Sequence, residues 1–322
     1  MAQHGGSLSW IEAHYPHAPR PLIDLSTGIN PYACALPDIK PEWLYRLPDS
    51  AEMAAAHDAA AKYYGAKHIA LASGMQPLMT ALACLRLKDH GPSGVAVLSP
   101  SYSEHANVWQ AAGHRVHFIP SFEKLMGDVV IITNPNNPDG RQFTPEQLLQ
   151  LAKRVELLIV DESFGDLSHE LSMAALCAKE QHIIVLKSCG KFFGVAGLRI
   201  SAAIASRKII TWLDTMLGPW PISTIACNLL PDMLNKGLSE YMRKRLAQES
   251  ASWRNLLSKP FTIVGHTDLF TLVETEHADQ WHGYLASQGV LTRKFDYNAR
   301  WLRFGLPDIA HRQRIETILQ SL

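Results

Sequence analysis

The sequence predicts an α/β fold with a large three-layer domain, built on a mostly parallel seven-stranded sheet, and a small α+β domain. From about residue 50, short apolar runs alternate with helix-like segments, as in sheets covered by helices. Several runs are almost entirely apolar, which is typical of strands buried on both faces. After the Pro-rich stretch GPWPIS (218–223), the pattern changes to a long helical stretch followed by strand pairs.

The large domain begins with a helix in SAEMAAAHDAAAKYYG, for which Asp49 or Ser50 is a suitable N-cap and Gly65 a suitable end. A second helix, QPLMTALACLRL, follows a turn at Gly74, and another covers 144–154. The strand candidates are the apolar runs at 68–73, 94–99, 115–120, 129–133, 157–162, 182–188 and 200–205.

The remaining chain predicts the small domain. We expect a long helical stretch over about 224–257, strands in FTIVG and LFTLVET, and a helix near 277–288. Strands in VLTRKF and WLRFGLP and a final amphipathic helix complete it. We therefore divide the chain into an N-terminal arm with part of the small domain (1–45), the large domain (46–222), and an interdomain helix with the small C-terminal domain (223–322).

Composition excludes several classes of function. Lys+Arg and Asp+Glu balance at 30 each among 322 residues, so no overall positive charge would attract nucleic acid or an anionic membrane. The five cysteines are scattered, without zinc-ligand spacing, and are expected to be reduced thiols, with no metal. Neither a signal peptide nor a membrane span is visible, so we expect a cytoplasmic protein. Most of the 15 histidines stand alone, and we expect them to be exposed or hydrogen-bonded.

The stretch LKSCGKFFGVAGLRI (186–200) carries the strongest chemical pattern. Lys191 follows a buried strand at the end where open α/β sheets bind ligands. Ser188 and Arg199 can hold a phosphate, and glycines beside Lys191 allow close approach of the backbone. A partly buried position next to another cation lowers the pKa of an amine, and the uncharged amine can attack a carbonyl. The combination therefore suits a covalent bond between Lys191 and a phosphorylated aldehyde. A lone surface lysine is the simpler alternative, and the neighbouring residues argue against it.

Ser188-x-x-Lys191 followed by Gly197-x-Arg199 resembles the lysine motif of pyridoxal-phosphate enzymes of the aspartate aminotransferase fold, also called fold type I. The resemblance implies that Lys191 binds the cofactor covalently and acts as the catalytic residue, while Ser188 and Arg199 hold the cofactor phosphate. The family's other cofactor contacts occur in the family's order. They are the phosphate-binding turn Ser73-Gly74-Met75, the ring-stacking Tyr102, Asn137 at the cofactor O3′, and Asp161 at the pyridine nitrogen. Each has a simpler interpretation as an ordinary turn, packing or strand-end residue.

Other residues resemble substrate-binding positions. Arg303 matches the family's arginine for the α-carboxylate, and Arg293 the substrate-phosphate arginine of the histidinol-phosphate aminotransferase branch. His4, in HGG, and the loop Gly28-Ile29-Asn30 resemble the opening of threonine-phosphate decarboxylases of cobalamin biosynthesis. Many relatives have a tyrosine three residues after the aspartate that pairs with the pyridine nitrogen, whereas this chain has Phe164. This difference narrows the choice of subfamily within the family. The similarity to these decarboxylases extends over nearly the whole chain.

This resemblance implies decarboxylation of L-threonine O-3-phosphate to (R)-1-amino-2-propanol O-2-phosphate, with pyridoxal 5'-phosphate as the cofactor. It also implies a homodimer. Two alternatives remain open at this point: an aminotransferase of the histidinol-phosphate type, and a non-catalytic protein that binds pyridoxal phosphate. Whether Tyr45, two residues from the position where some relatives supply a tyrosine to the partner's cofactor, makes that contact is also open.

Overall fold

The computed structural model describes residues 5–177 and 180–320. It divides into two units. Unit 1 comprises the chain up to Ala33, Pro138–Gly140 and the chain from Met242 onward, and unit 2 comprises Cys34–Asn137 and Arg141–Tyr241. Unit 1 begins with helix α1 (Leu8–His14) and the short strand β1 (Ile23–Asp24), after which the chain enters unit 2.

Unit 2 is built on a seven-stranded sheet. Its strands are β2 (Ile69–Ala72), β3 (Gly94–Leu98), β4 (Arg115–Ile119), β5 (Val129–Thr133), β6 (Leu157–Glu162), β7 (Ile183–Ser188) and β8 (Ser201–Ile204). The order across the sheet is β2-β8-β7-β6-β5-β3-β4. Only β8 runs antiparallel to its neighbours. The predicted α/β fold, with a mostly parallel sheet formed by the seven apolar runs, is confirmed.

Seven helices accompany this sheet in the described part of unit 2. They are α2 (Ser50–Tyr64), α3 (Met75–His90), α4 (Ser103–Ala111), α5 (Pro145–Ala152), α6 (Cys189–Phe192), α7 (Arg207–Leu217) and α8 (Thr224–Met233). The side chain of Asp49 caps α2 in a capping box with Glu52, and Gly65 ends the helix with φ of 63°. Leu78 of α3 and Trp109 of α4 pack with Ile131 of the sheet in the main core.

Most of unit 1 lies in the C-terminal part of the chain. Its elements there are α9 (Lys236–Leu257, of which the residues from Met242 belong to unit 1), β9 (Thr262–Thr267), β10 (Phe270–Glu274), α10 (Ala278–Ser287), β11 (Val290–Leu291), β12 (Arg293–Phe295), β13 (Asn298–Gly305) and α11 (Ile309–Gln320). Four strands form an antiparallel sheet in the order β12-β13-β10-β9, and β1 pairs with β11 in parallel.

The expected helical stretch over about 224–257 is two helices, α8 and α9, rather than one. Asn235 lies in the break, and its side-chain oxygen accepts hydrogen bonds from the backbone N–H of Gly237 and Leu238, at 2.9 and 3.3 Å. An asparagine oxygen that satisfies the first N–H groups of a helix favours a new start at that point. Within the described ranges, no helix is both long and apolar enough to cross a bilayer.

Candidate active site

Unit 2 brings four of the predicted cofactor residues to one edge of its sheet. Asp161 lies in β6, Ser188 ends β7, Lys191 lies in α6 directly after β7, and Asn137 follows β5. These three strands are neighbours and parallel, so their carboxyl ends lie side by side. An amine, a carboxylate, a hydroxyl and an amide are therefore gathered at the edge where α/β sheets bind ligands.

Asp161 is held as a buried carboxylate. It is 2% exposed, its Oδ2 accepts a hydrogen bond from His105 Nε2 at 2.8 Å, and its Oδ1 accepts one from the backbone N–H of Ser163. Burial, the largest influence, raises the pKa of Asp161, but the hydrogen bond and charge of His105, together with the charge of Lys191, outweigh burial and lower it. Asp161 therefore carries a negative charge at neutral pH.

His105 is a site residue that the sequence prediction missed. It lies in α4, three residues after Tyr102, whose ring meets the His105 ring edge-on at 5.9 Å between centroids. Residues three apart on a helix share a face. The Tyr102-x-x-His105 spacing was a possible clue, but only the fold brings His105 to Asp161, 56 residues away in the chain.

Lys191 lies beside an aromatic ring. Its Nζ is 5.2 Å from the centre of the Phe164 ring, and Phe164 itself is 3% exposed. A tyrosine at this position would add a hydroxyl, whereas the phenyl ring offers only its apolar face and a cation–π contact. Phe164, where this chain differs from many relatives, thus lies next to the amine that is predicted to react.

Gly74 and Arg199 form a cationic turn at the start of α3. Gly74 has φ of 93° and precedes the first residue of the helix. A Cβ atom on Gly74 would lie 2.5 Å from Arg199 Nη2, so the guanidinium occupies the space that any side chain would fill. Arg199 is the only described non-glycine residue with positive φ, at 52°, a conformation that costs free energy for an arginine.

The positive charge of Arg199 beside the N-terminus of α3 is suited to bind an anion. The N-terminus of a helix carries a partial positive charge, and Arg199 adds a full one beside it. Among the described residues, Arg199 forms no ion pair with a carboxylate. A phosphate between the guanidinium and the first N–H groups of α3 would relieve the repulsion. The hydroxyl of Ser73 donates to the carbonyl oxygen of Pro221 at 2.8 Å, so Ser73 would serve this site through its backbone.

The turn that carries Asn137 is fixed by its neighbours. Asn134 exchanges two hydrogen bonds with the backbone of Phe143, at 2.9 and 3.0 Å. The side-chain amide of Asn136 donates a hydrogen bond to the carbonyl oxygen of Pro100, and its backbone N–H donates to the carbonyl oxygen of Arg141. Asn137 is half-buried between these anchors. A rigid turn of this kind holds one amide in a constant position, which suits a residue predicted to contact the cofactor O3′.

A second buried polar cluster, which the sequence did not predict, lies behind this edge. Lys187 is 2% exposed, and its Nζ is 2.6 Å from Glu162 Oε2 and 3.9 Å from Asp166 Oδ1. Glu162 also accepts hydrogen bonds from Ser172 Oγ and the N–H of Met173. Burial alone would lower the pKa of Lys187, but the Glu162 and Asp166 carboxylates raise it above its ordinary value, so the lysine is charged.

Unit 1 brings the two predicted substrate arginines together. Arg293 of β12 and Arg303 of β13 are directly opposite each other in the antiparallel pair. Arg303 is 7% exposed and donates from Nη2 to the carbonyl oxygen of Ser26 at 2.7 Å. Burial first, and then the charge of Arg293, lowers the pKa of Arg303 to about 10. Two opposed cations, one of them buried, are suited to an anionic ligand with two charged groups.

The predicted loop 28–30 follows Ser26 closely in the same unit. Gly28 and Asn30 are buried and Ile29 is half-buried. His4, the predicted phosphate ligand in the arm, lies outside the described residues. Gly5, which follows it, lines a cavity of about 30 Å³ together with Arg293, Ser26, Trp10 and His282.

His282 is a further residue near Arg293 that the sequence prediction treated as ordinary. Its Nδ1 is 2.9 Å from the Oγ1 of Thr292, and its ring lies 5.3 Å from that of Trp10. It is therefore hydrogen-bonded, as expected for an isolated histidine. Burial, followed by the charge of Lys294, lowers the pKa of His282 to about 4 from its ordinary value of 6.5.

This pKa predicts a pH-dependent stability. Between pH 6.5 and pH 4 the unfolded chain binds a proton at His282 that the folded chain does not bind, so stability falls as pH falls through this window. From pH 7 to pH 5, His282 should lower the free energy of unfolding by about 2 kcal/mol. We expect the free energy of unfolding of the His282→Asn variant, measured with urea at pH 7 and pH 5, to fall between these pH values by about 2 kcal/mol less than that of the natural chain. An equal loss in the variant and the natural chain would contradict the prediction.

All five cysteines are free thiols, and four of them are buried. Burial raises the pKa of Cys189, two residues before Lys191, to about 12, so this thiol is protonated at neutral pH. No group of three or more His, Cys, Asp or Glu side chains that could hold a metal ion occurs in the described part of the chain.

Comparison with known proteins bears on the whole chain. The family model described as aminotransferase class I and II matches residues 21–321. A protein of Sinorhizobium sp. named threonine-phosphate decarboxylase is 36% identical, over 99% of this chain and 98% of its own. A protein of the same name from Pseudomonas aeruginosa is 37% identical, over 95% of this chain and 93% of its own.

Solved structures extend the comparison to the fold. The histidinol-phosphate aminotransferase of Sinorhizobium meliloti, solved in complex with pyridoxal-5'-phosphate, superposes with a TM-score of 0.81. The superposition covers 99% of this chain and 96% of that chain, at 14% sequence identity. At that identity the similarity concerns the fold alone.

Proposed function

The chain belongs to the class I and II aminotransferase family, and from that premise we propose that it is a pyridoxal-phosphate-dependent carboxy-lyase. Its substrate is L-threonine O-3-phosphate, which loses CO₂ to give (R)-1-amino-2-propanol O-2-phosphate. The observation that carries the proposal is the similarity, at 36% and 37% identity over nearly the full length, to two proteins named threonine-phosphate decarboxylase. The name implies a role in cobalamin biosynthesis.

The residues of unit 2 fit the cofactor. Arg199 over Gly74, at the start of α3, is a cationic turn suited to the cofactor phosphate, with Ser188, Ser73 and Met75 as its further ligands. Asp161 is an anion suited to a protonated pyridine nitrogen. Lys191 provides the amine, Tyr102 an aromatic face for the ring, and Asn137 an amide for O3′. This donor set has one group for each polar part of the cofactor.

Each protein group has a distinct task. When bound, the cofactor supplies an electron sink for the pair of electrons left on the substrate Cα. Asp161, kept charged by His105, holds a proton at the pyridine nitrogen and so maintains that sink. Lys191 Nζ, a nitrogen on a short helix at the sheet edge, delivers a proton to Cα after CO₂ departs. The apolar face of Phe164 beside Nζ limits water at this position.

The residues of unit 1 hold the substrate in the proposal. His4 and Arg293 bind its phosphate, whereas Arg303 and the loop Gly28-Ile29-Asn30 bind its carboxylate. The opposed arginines on β12 and β13 support two separate anionic groups in one ligand. Binding energy at the phosphate then fixes the carboxylate in the orientation that favours loss of CO₂.

The main alternative is an aminotransferase of the histidinol-phosphate type, which would use nearly the same cofactor residues. Phe164 and the similarity over nearly the whole chain to proteins named as decarboxylases favour the lyase. A non-catalytic protein that binds the cofactor is less well supported, because the chain carries the predicted amine and carboxylate as well as the groups suited to bind a phosphate.

An assay of CO₂ release separates these alternatives. The purified protein with pyridoxal phosphate and L-threonine O-3-phosphate, without a 2-oxo acid, should release one CO₂ for each aminopropanol phosphate formed. The Arg293→Gln variant should raise KM for this substrate by about 10–100-fold, because a charge-assisted contact to phosphate is lost. Turnover that depends strictly on a 2-oxo acid acceptor would reject the decarboxylase in favour of an aminotransferase, and no turnover of either kind would favour the non-catalytic alternative.

The domain division, the assembly and the location are also part of the proposal. We take residues 46–222 as the cofactor-binding domain, with the N-terminal arm (1–45) and residues 223–322 completing the small domain and the interdomain helix. The protein acts as a cytoplasmic homodimer. Exposed apolar side chains of unit 2, among them Leu44, Tyr45, Leu47 and Trp220, support a protein contact. Sedimentation equilibrium should give twice the 35.8 kDa chain mass, and a monomer at micromolar concentration would reject the dimer.

A further inference from the structure

The loop 28–30 is attached at its two ends by different parts of unit 1. Before the loop, Ser26 is fixed by Asp24, whose Oδ1 accepts hydrogen bonds from the Ser26 backbone N–H and hydroxyl, and by Arg303, which donates to the Ser26 carbonyl. After the loop, the backbone N–H of Tyr32 donates to Asn30 Oδ1 at 2.8 Å. The position of the loop therefore depends on how firmly Tyr32 is held.

Tyr32 is held by a stacked arginine. The Cζ atom of Arg245, on α9, lies 3.6 Å from the centre of the Tyr32 ring, which is close packing for a guanidinium on an aromatic face. The hydroxyl of Tyr32 is buried and has no hydrogen-bond partner in the described part of the chain. The ring face, rather than the hydroxyl, is thus the attachment of Tyr32 to α9.

On a helix, an arginine could form an ion pair with a carboxylate four residues away. Glu249 occupies that position relative to Arg245 on α9, but its Oε2 accepts a hydrogen bond from Arg312 at 2.9 Å. Among the described residues, Arg245 forms no ion pair. Burial, followed by the charge of Glu249, raises the pKa of Tyr32, so the ring meets Arg245 as a neutral phenol. The contact is a cation–π stack, not a salt bridge to phenolate.

We propose that Arg245 is a positioning residue for the reaction, which acts by stacking on Tyr32 and thereby fixes the loop 28–30 beside Arg303. This inference rests on the proposed function, in which the loop and Arg303 orient the substrate carboxylate. Orientation selects the bond that breaks at Cα. Loss of the Cα–COO⁻ bond, followed by addition of a proton at Cα, gives CO₂ and the amine. Loss of the Cα–H bond keeps the carboxylate, and water then replaces the nitrogen at Cα to give a 2-oxo acid; the amino group would pass to the aldehyde carbon of pyridoxal phosphate, or leave as ammonia after loss of the substrate phosphate. Arg245 thus determines reaction specificity without touching substrate.

Two measurements test the role of Arg245. The Arg245→Met variant keeps the aliphatic stem and loses the cation. Relative to the natural protein, the ratio of CO₂ to 2-oxo acid formed from L-threonine O-3-phosphate should fall by about tenfold, the loss expected for one cation–π contact. Hydrogen exchange of a peptide that covers residues 25–33, measured without cofactor or substrate, should be about tenfold faster.

Two further variants serve as controls. Lys244→Met removes the same charge from the exposed neighbour of Arg245 on α9 and should leave the product ratio and the exchange rate unchanged. Arg245→Lys keeps the charge but not the planar group, and it should fall between Arg245→Met and the natural protein. This variant also replaces Arg245→Met if the latter does not fold.

The outcomes separate the two claims. If the natural protein releases no CO₂, the proposed function is wrong, whatever the variants do. If it does release CO₂ and Arg245→Met shows the same product ratio, the inference is overturned. A lower kcat at an unchanged product ratio, or faster exchange without a changed ratio, overturns it too, because those results describe a structural role only.

Discussion

Replacing Lys191 with alanine should lower the rate of CO₂ release by at least about 10⁴-fold, since one amine both binds the cofactor and moves a proton at Cα. The structure supports this expectation through the position of Lys191, directly after β7 and at the edge shared with Asp161. The measurement is the initial rate of CO₂ release at saturating cofactor and substrate.

The same variant has a spectroscopic signature. The natural protein with cofactor should show the visible absorbance of cofactor bound to a lysine, and Lys191→Ala should lose it and release the cofactor on dialysis. Lys208→Ala is a matched control, because Lys208 is 86% exposed and pairs only loosely with Asp89, at 3.6 Å. If Lys191→Ala kept both the absorbance and the CO₂ release, the assignment of the catalytic lysine would be wrong.

Replacing Lys187 with methionine should destabilise the fold by about 3–5 kcal/mol, because the buried Glu162 and Asp166 carboxylates would lose the ammonium group that lies beside them. That loss is a large part of the roughly 5–15 kcal/mol by which folded domains are usually stable. Urea unfolding at pH 7, without cofactor, measures the loss directly.

A double variant identifies the cause. In Lys187→Met with Glu162→Gln, the glutamine can still exchange hydrogen bonds with Ser172 and the N–H of Met173, but it carries no charge. We expect the double variant to have a higher free energy of unfolding than Lys187→Met alone, closer to that of the natural chain. A single variant within about 1 kcal/mol of the natural protein would contradict the idea that the buried charges depend on Lys187.

The sheet of unit 2 was predictable because most of its strands, apart from the exposed edge strand β4, are apolar and buried on both faces. VVIIT and HIIVLKS, for example, are β5 and β7, and the helix after Asp49 begins where its cap predicts. The order of motifs along the chain also predicted which residues meet at the carboxyl edge, because parallel strands place their ends together. The break between α8 and α9 was missed, because a single Asn235 inside a helical pattern is a weak boundary.

Three contacts of the candidate site were not visible in the sequence. His105 looks like an isolated helix residue until the fold places it 2.8 Å from Asp161. Arg245 is one of several basic residues on α9, and only its stack on Tyr32 distinguishes it. Lys187, an apparent charge in an apolar strand, had no role until β6 placed Glu162 opposite it.

The sequence by itself determined the family, the sheet and the cofactor, because local hydrophobic patterns and short motifs encode strands, turns and the lysine that is predicted to react. The tertiary structure alone decided the electrostatics. Whether Asp161 is charged, whether Lys187 is paired, and what opposes Arg293 depend on burial and on partners distant in the chain. Coulomb energies and desolvation are set by distance in space, so no one-dimensional pattern fixes them.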